Sequence, residues 1–166
     1  GWGPGLIGIS LACYGLGVAF VQGLIIRLNY VRNIKPQKIV IFSLMVGSLT
    51  LFGFGSIKTA WLVFALIPIA VLTELMNPTL DGFISNKVSD DTQGLLQGIL
   101  SSINAITTIL SPLLMTLLFK IGVSPTKDYY IPGLPFYFAA ILLLICIIPI
   151  LKVMNSLEHA KKRIIK

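Results

Sequence analysis

One acidic residue of the sequence lies deep within an apolar stretch. Glu74 follows Trp61 by thirteen residues, which is about 20 Å along a helix. In a membrane, a carboxylate at that depth is costly unless it is paired, protonated or facing water, so it marks an ion or substrate pathway by default. Asn77 and Asp81 follow at i+3 and i+7 on the same helical face. The pattern favours proton exchange or cation binding. The alternatives are a structural hydrogen bond to another helix, or a carboxylate near enough to the membrane boundary to reach water.

A second set of polar residues recurs along a later apolar stretch. Its members are spaced i, i+4, i+8, i+11 and i+15 on a stretch otherwise rich in Leu and Ile: Gln93, Gln97, Ser101, Asn104 and Thr108. On a helix they form one stripe of uncharged hydrogen-bonding groups. Such a stripe suits the wall of a water-filled pathway, in which Gln97 and Asn104 would hydrogen-bond a solute. It suits helix packing equally well, because these groups also hydrogen-bond across helix interfaces in lipid.

The composition indicates what kind of element carries these residues. Of the 166 residues, 55% are hydrophobic and only 11% are charged, which is too little charge for the surface of a soluble domain. A helix needs about 20 apolar residues to cross a bilayer. We therefore predict an all-α membrane protein with five transmembrane helices. The expected spans are residues 5–26, 39–57, 61–80, 94–119 and 133–153, followed by a basic tail at 154–166.

The distribution of Lys and Arg predicts the orientation of these helices. Ten of the thirteen basic residues fall on one side, in the first connection, at Lys87 and at the C-terminal end, and the other three are Lys58, Lys120 and Lys127. Because cytoplasmic loops retain positive charge, we expect the C-terminus in the cytoplasm. The same argument accounts for the net charge of +7 without a nucleic-acid partner.

The spans differ in polarity. The second and fifth contain few or no polar residues, so we expect them to face lipid, whereas the first, third and fourth are rich in Gly, Pro or polar groups and should lie in the interior. Pro68, Pro78 and Pro112 interrupt the third and fourth spans and are candidate hinges. The two cysteines, Cys13 and Cys146, are expected to be buried free thiols.

Enzymatic chemistry has little support in the sequence. The pair Asp90 and Asp91 could hold a metal phosphate, but no second acidic pair accompanies it, and the pair also suits the start of a helix. The sequence contains no nucleophile triad motif, HExxH or P-loop. We predict no enzyme, no metal site and no cofactor other than a proton gradient.

The chain resembles the C-terminal part of a major facilitator transporter, and is most similar to the tetracycline-resistance type of proton-coupled drug exporter. The matching residues run in order along the chain: Gly1-Trp2, Gly8, Ser10-Leu11-Ala12, Gly15, Trp61-Leu62-Val63-Phe64, Pro78, Gly82, Ser85, Gln93-Gly94, Leu96-Gln97-Gly98, Asn104, Pro112-Leu113-Leu114, Gly133-Leu134 and Phe136-Tyr137. The resemblance implies that the five spans are helices eight to twelve of a twelve-helix carrier. Glu74 and the stripe through Asn104 would then face the transport pathway.

The sequence departs from this family in two places. Lys35-Pro36 stands where the family usually has Gly-Glu in the basic connection that contains Arg27 and Arg32. Gly47 occupies about the position at which tetracycline carriers place an acid in the ninth helix, and Glu74, one helix later, is a candidate substitute acid. We expect Arg27, Arg32 and Asp81 to act in the conformational change, from loops at the ends of the spans.

The leading hypothesis is therefore that the chain is part of a secondary transporter, which exports small molecules or drugs in exchange for protons by alternating access. Its partners would be the lipid bilayer, the N-terminal half of the transporter and a small-molecule substrate, and its location a bacterial inner membrane. The alternative is a fragment of a split or decayed transporter gene that does not transport, or a membrane-embedded partner subunit.

Overall fold

The computed structural model describes residues 3–24, 33–57, 59, 61–124 and 130–164, with side chains at all of these except 90, 155 and 157–164. Its helices are α1 (Pro4–Gly23), α2 (Pro36–Ser56), α3 (Trp61–Val71), α4 (Met76–Ser85), α5 (Asp90–Gly122) and α6 (Leu134–Ile164). A 3₁₀ turn, Leu72–Leu75, joins α3 to α4, so the three form one span, Trp61–Ser85. Within the described residues, five helical stretches are long and apolar enough to cross a membrane. The predicted all-α, five-span class is confirmed.

Proline begins two of the spans. Pro4 and Pro36 stand in the first turns of α1 and α2, where the missing N–H is one that would have no partner in the helix. α5 begins after the N-cap residue Ser89, with Asp91 in its first turn, where a negative charge suits the helix dipole.

The polar connection before α5 is shorter than expected, which corrects one prediction. Residues 81–92 were expected to form a loop, but α4 continues to Ser85, so Asp81 lies in a helix. Asn86 is the C-cap residue of this helix. Its backbone N–H and side-chain amide donate to the carbonyl of Gly82 at 3.2 and 2.7 Å. Apolar Leu80, Phe83 and Ile84 are mostly half-buried and extend the helical pattern through Asp81.

Helix α2 lies at the centre of the described bundle, packed against α6 and against the third span. One of its faces is buried and contains Val40, Ser43, Leu44, Gly47, Ser48 and Thr50. The opposite face exposes Phe42, Met45, Leu49 and Phe52. The expectation that this span faces lipid therefore describes only one of its faces. Its few polar residues are small enough to let neighbouring helices approach closely.

Specific contacts join α2 to α6. The Ser48 hydroxyl donates to the carbonyl of Ala140 at 3.0 Å, and the hydroxyls of Ser56 and Tyr137 lie 2.9 Å apart. At the end of α2, a Cβ at Gly133 would collide with the backbone carbonyl of Gly55. Only glycine at position 133 permits this approach, so these helix ends are held in backbone contact.

Helix α1 packs against the third span through a small apolar core. Val21, Ile67, Val71 and Leu75 are buried there, and Tyr14 packs at its edge. Between apolar groups in lipid, such packing acts through van der Waals contact and not through exclusion of water.

Helix α5 is the most exposed span of the described chain, and it packs mainly against α6. Large apolar residues are exposed along it and along the outer faces of α1 and α6, as a lipid-facing surface requires. Cys13 and Cys146 are free thiols as expected, but both are exposed, because they lie on these outer faces and not in the core.

Candidate functional site

The third span changes geometry midway between its two prolines. Pro68 lies inside α3 and Pro78 inside α4, but the tightened 3₁₀ turn is at Leu72–Leu75, and Glu74 belongs to it. Two threonine hydroxyls donate to backbone carbonyls around the turn, Thr73 to Ala70 and Thr79 to Leu75, each at 2.6 Å. Irregular backbone is tolerated at membrane depth where such groups satisfy it and where it lines a cavity.

Glu74 is paired across helices. The Tyr14 hydroxyl, on α1, donates to Glu74 Oε1 at 2.6 Å, and both side chains are partly buried. A hydrogen bond of this kind is stronger when the acceptor is an ionised carboxylate than when both groups are neutral. The bond supplies part of the stabilisation that a carboxylate loses when it leaves water.

Glu74 also lines a partly open cavity of about 380 Å³ that is bordered by α1, α2, the third span and α6. We call it the Glu74 cavity. Its polar lining consists of Tyr14, Ser43, Thr50, Thr73, Glu74 and Asn77. The rest of the lining is apolar apart from Gly47, and includes the rings of Phe54 and Phe136. Glu74 is the one lining residue that can carry a full charge near neutral pH, since no Lys, Arg, His or Asp borders the cavity within the described chain.

Two residues of α2 shape this cavity. Ser43 is only 2% exposed, and its hydroxyl has no hydrogen-bond partner among the described residues. One turn later, Gly47 leaves space where a side chain would intrude. A Cβ there would lie 3.2 Å from Leu143 Cδ1 and 3.3 Å from Thr73 Cγ2, both part of the lining. Gly47 and Glu74, on successive spans, thus border the same cavity.

The structure separates the predicted site residues into two groups. Glu74 and Asn77 line the cavity together. Gln97 and Asn104 are exposed on α5, which does not border it.

Of the three remaining predicted residues, the structure describes only Asp81. Asp81 is exposed on α4, about one turn beyond Asn77, and does not line the cavity. Arg27 and Arg32 lie outside the described residues.

The stripe on α5 is partly satisfied within its own helix. The Thr108 hydroxyl donates to the carbonyl of Asn104 at 2.8 Å, and Thr107 donates to the same carbonyl at 3.0 Å. The amide side chains of Gln97 and Asn104 remain exposed on the outer surface of the described bundle. In the described chain, the stripe does not border the Glu74 cavity.

Sequence reasoning missed Tyr14 and the role of the α2 residues. Tyr14 is 60 residues from Glu74, so no local spacing connects them. The available signal was a hydroxyl within an otherwise apolar helix, which needs a partner when it is buried in lipid. Ser43 and Gly47 were small residues on a span expected to face lipid, although small residues more often mark helix contacts.

Comparison with known proteins places the chain among membrane transporters. The profile of the Major Facilitator Superfamily matches residues 1–165. The chain is 29% identical over 119 residues to the class E tetracycline resistance protein of Escherichia coli, a match that covers 72% of this chain and 29% of that protein. It is 31% identical over 143 residues to the class H tetracycline resistance protein of Pasteurella multocida, covering 85% and 34%.

A mammalian protein is also similar. Hippocampus abundant transcript-like protein 1 of Mus musculus is 27% identical over 160 residues, covering 87% of this chain and 31% of that protein. The chain spans about a third of the length of the curated relatives it matches. No solved structure matches it. The family profile, which covers nearly every residue, and the five apolar spans lead to one conclusion: the chain belongs to the Major Facilitator Superfamily.

Proposed function

We propose that this chain is part of a secondary transporter that exports small molecules across a membrane by alternating access, with proton exchange at Glu74. Membership of the superfamily supports transport and not an enzymatic reaction. The resistance proteins to which the chain is similar support export as the direction. The observation that carries the proposal is the Tyr14–Glu74 hydrogen bond at the wall of a cavity inside the bundle.

Proton exchange at Glu74 has a direct structural consequence. The ionised carboxylate accepts the Tyr14 hydrogen bond, whereas a protonated carboxyl has lost the charge that makes this bond strong. Protonation also removes the cost of holding a charge between apolar walls. The two forms therefore favour different arrangements of α1 and the third span, and a proton gradient shifts the balance between them.

Exposed Gln97 and Asn104 have a different role in this proposal. Their stripe faces the rest of the transporter, the N-terminal half, where it lines the pathway and hydrogen-bonds the solute. The polarity of the stripe supports this placement, because uncharged polar groups suit contact with water or a polar partner better than contact with lipid. The C-terminus lies in the cytoplasm, and the membrane is a bacterial inner membrane.

Transport by the complete gene product in liposomes tests the proposal. A pH gradient, inside acidic, should drive uptake of a solute from a panel of tetracycline, lipophilic cations and sugars, and a pH-sensitive dye should report proton movement in the opposite direction. Glu74→Gln should abolish gradient-driven uptake and proton flux. Asp91→Asn, which removes an exposed acid at the start of α5, is the control. Unchanged proton-coupled uptake by Glu74→Gln would rule out the role of Glu74.

A further inference from the structure

The lining of the Glu74 cavity contains one acidic residue and no basic residue among the described residues. It combines one carboxylate with neutral hydroxyls, an amide and a largely apolar wall that includes three aromatic rings, those of Tyr14, Phe54 and Phe136. A ligand that fits such a lining carries one positive charge on an apolar body.

We propose that the Glu74 cavity is a binding site for a small organic monocation, formed by residues of this chain and separate from the α5 stripe. The proposal deepens the proposed function, on which it rests for its place in transport, by naming the class of solute.

The negative charge of Glu74 determines the sign of the charge on the ligand. A carboxylate between apolar walls is stabilised by an opposite charge, and a second negative charge beside it would be strongly unfavourable. No basic residue borders the cavity within the described chain, so Glu74 has no protein cation there to neutralise it. A single positive charge on the ligand balances the site.

The volume and the mostly apolar lining of the cavity favour an organic ligand over a bare ion. Small-molecule sites commonly measure about 300–1,000 Å³ and are mostly apolar with a few placed polar groups, and this cavity measures about 380 Å³. A bare metal ion would leave most of that space unfilled. The lining includes the aromatic residues Tyr14, Phe54 and Phe136, and aromatic rings attract organic cations through their π systems as well as by contact.

The buried hydroxyl of Ser43 is a second, independent sign of a ligand. It is 2% exposed, borders the cavity and has no hydrogen-bond partner in the described chain. Burying an unpartnered hydroxyl is unfavourable, and a polar group on the ligand would satisfy it.

Gly47 sets the space available to the ligand. A side chain there would press against Thr73 and Leu143 on the cavity wall. A branched residue at position 47 would occupy volume that the ligand needs, without changing any charge. Size and charge can therefore be tested by separate substitutions.

Calorimetric binding of benzyltriethylammonium to the complete gene product, purified in detergent without any gradient, tests the proposal. This probe has a fixed charge, and phenylmethanesulfonate serves as an anion of similar size. We expect the cation to bind and the anion not to bind. Glu74→Gln and Gly47→Val should each weaken cation binding at least tenfold. Gly8→Val, at an α1 position with no atom within 4 Å of its would-be Cβ, should bind as tightly as the unmodified protein.

A second pair of variants keeps the test decisive if Glu74→Gln does not fold. For this pair the probe is benzyl(2-hydroxyethyl)dimethylammonium, which keeps a fixed charge and adds a hydroxyl that can bond to Ser43. Ser43→Ala should weaken its binding several-fold, whereas Ser48→Ala, whose hydroxyl bonds to Ala140 away from the cavity, should not. The proposal is overturned if folded protein does not bind the cation, or if the folded variants at positions 43, 47 and 74 all bind it normally.

Binding and transport can fail independently. Binding that Glu74→Gln and Gly47→Val weaken, in a protein that shows no gradient-driven uptake, would support the cavity site and contradict transport. Proton-coupled uptake of another solute without binding of benzyltriethylammonium would support transport and overturn the cavity site.

Discussion

The hydroxyl of Tyr14 donates a 2.6 Å hydrogen bond to Oε1 of Glu74, and so connects α1 to the 3₁₀ turn of the third span. The turn is the one irregular segment among the described spans. The hydrogen bond therefore joins α1 to a titratable group, Glu74, that lies where the third span departs from regular α-helical geometry. A change in that bond would act directly on the angle between these two spans.

Removing the Tyr14 hydroxyl should destabilise the protein. Tyr14→Phe keeps the ring but takes away a hydrogen bond to a charged group, which is worth about 1.5–3 kcal/mol. The free energy of unfolding of the purified protein, measured in detergent at a pH where Glu74 is ionised, should fall by that amount. In a double-mutant cycle, most of the loss should disappear when Glu74→Gln is already present.

Tyr137→Phe is a matched control for this measurement. Its hydroxyl also bridges two helices, to Ser56, but the partner is neutral and the pair is exposed. We expect a loss of about 1 kcal/mol or less. Equal losses for the two tyrosine variants would mean that the Tyr14 bond has no charge-assisted character.

Ser43→Ala and Ser48→Ala should differ in their effect on the stability of the protein. The Ser43 hydroxyl is buried without a partner among the described residues, so its removal relieves an unfavourable burial and should leave the protein as stable or more stable. Ser48→Ala loses an interhelical bond to Ala140, and such bonds in membrane proteins average about 0.6 kcal/mol. Unfolding in mixed micelles would measure both. A marked loss of stability on Ser43→Ala in ligand-free protein would show that the hydroxyl has a partner.

The spans of the fold could be predicted from the sequence because each is a long apolar run, and helices are the local way to satisfy backbone polar groups in lipid. The packing of the spans was harder to predict. Polarity suggested that α2 faces lipid, yet Ser43, Gly47 and Ser48 lie on its buried face. In lipid, small side chains mark a helix interface as often as polar stripes do.

The candidate site was predictable only in part. Glu74 and Asn77 stood out because a carboxylate and an amide are rare inside an apolar run, and both line the cavity. The contribution of Tyr14 depends on how α1 packs against the third span, 60 residues away. The cavity itself depends on four spans, α1, α2, the third span and α6, that meet around Gly47. No local sequence pattern specifies that arrangement.

Gly133→Ala should disrupt the junction of α2 and α6. The added methyl would collide with the backbone carbonyl of Gly55, and a backbone atom cannot move aside as a side chain can. Overpacking of this kind costs about 1–3 kcal/mol. The melting temperature in detergent should fall clearly for Gly133→Ala and stay unchanged for Gly8→Ala, where the added methyl meets no atom within 4 Å. A similar melting temperature for both variants would contradict the close approach of the helix ends.

The α5 stripe should react with water-soluble thiol reagents. In the complete protein with Cys13 and Cys146 changed to Ser, single cysteines would replace Gln97 and Asn104 on the stripe, or Ile99 and Ile106 on the opposite face. If the stripe lines a water-filled pathway, a charged methanethiosulfonate should modify the stripe positions at least tenfold faster, because the reagent reacts with the thiolate, which forms readily only in water. Equal, slow rates at all four positions would show that the stripe packs against another helix. Faster modification in the presence of a proton gradient would further indicate that the opening of the pathway depends on the state of the transporter.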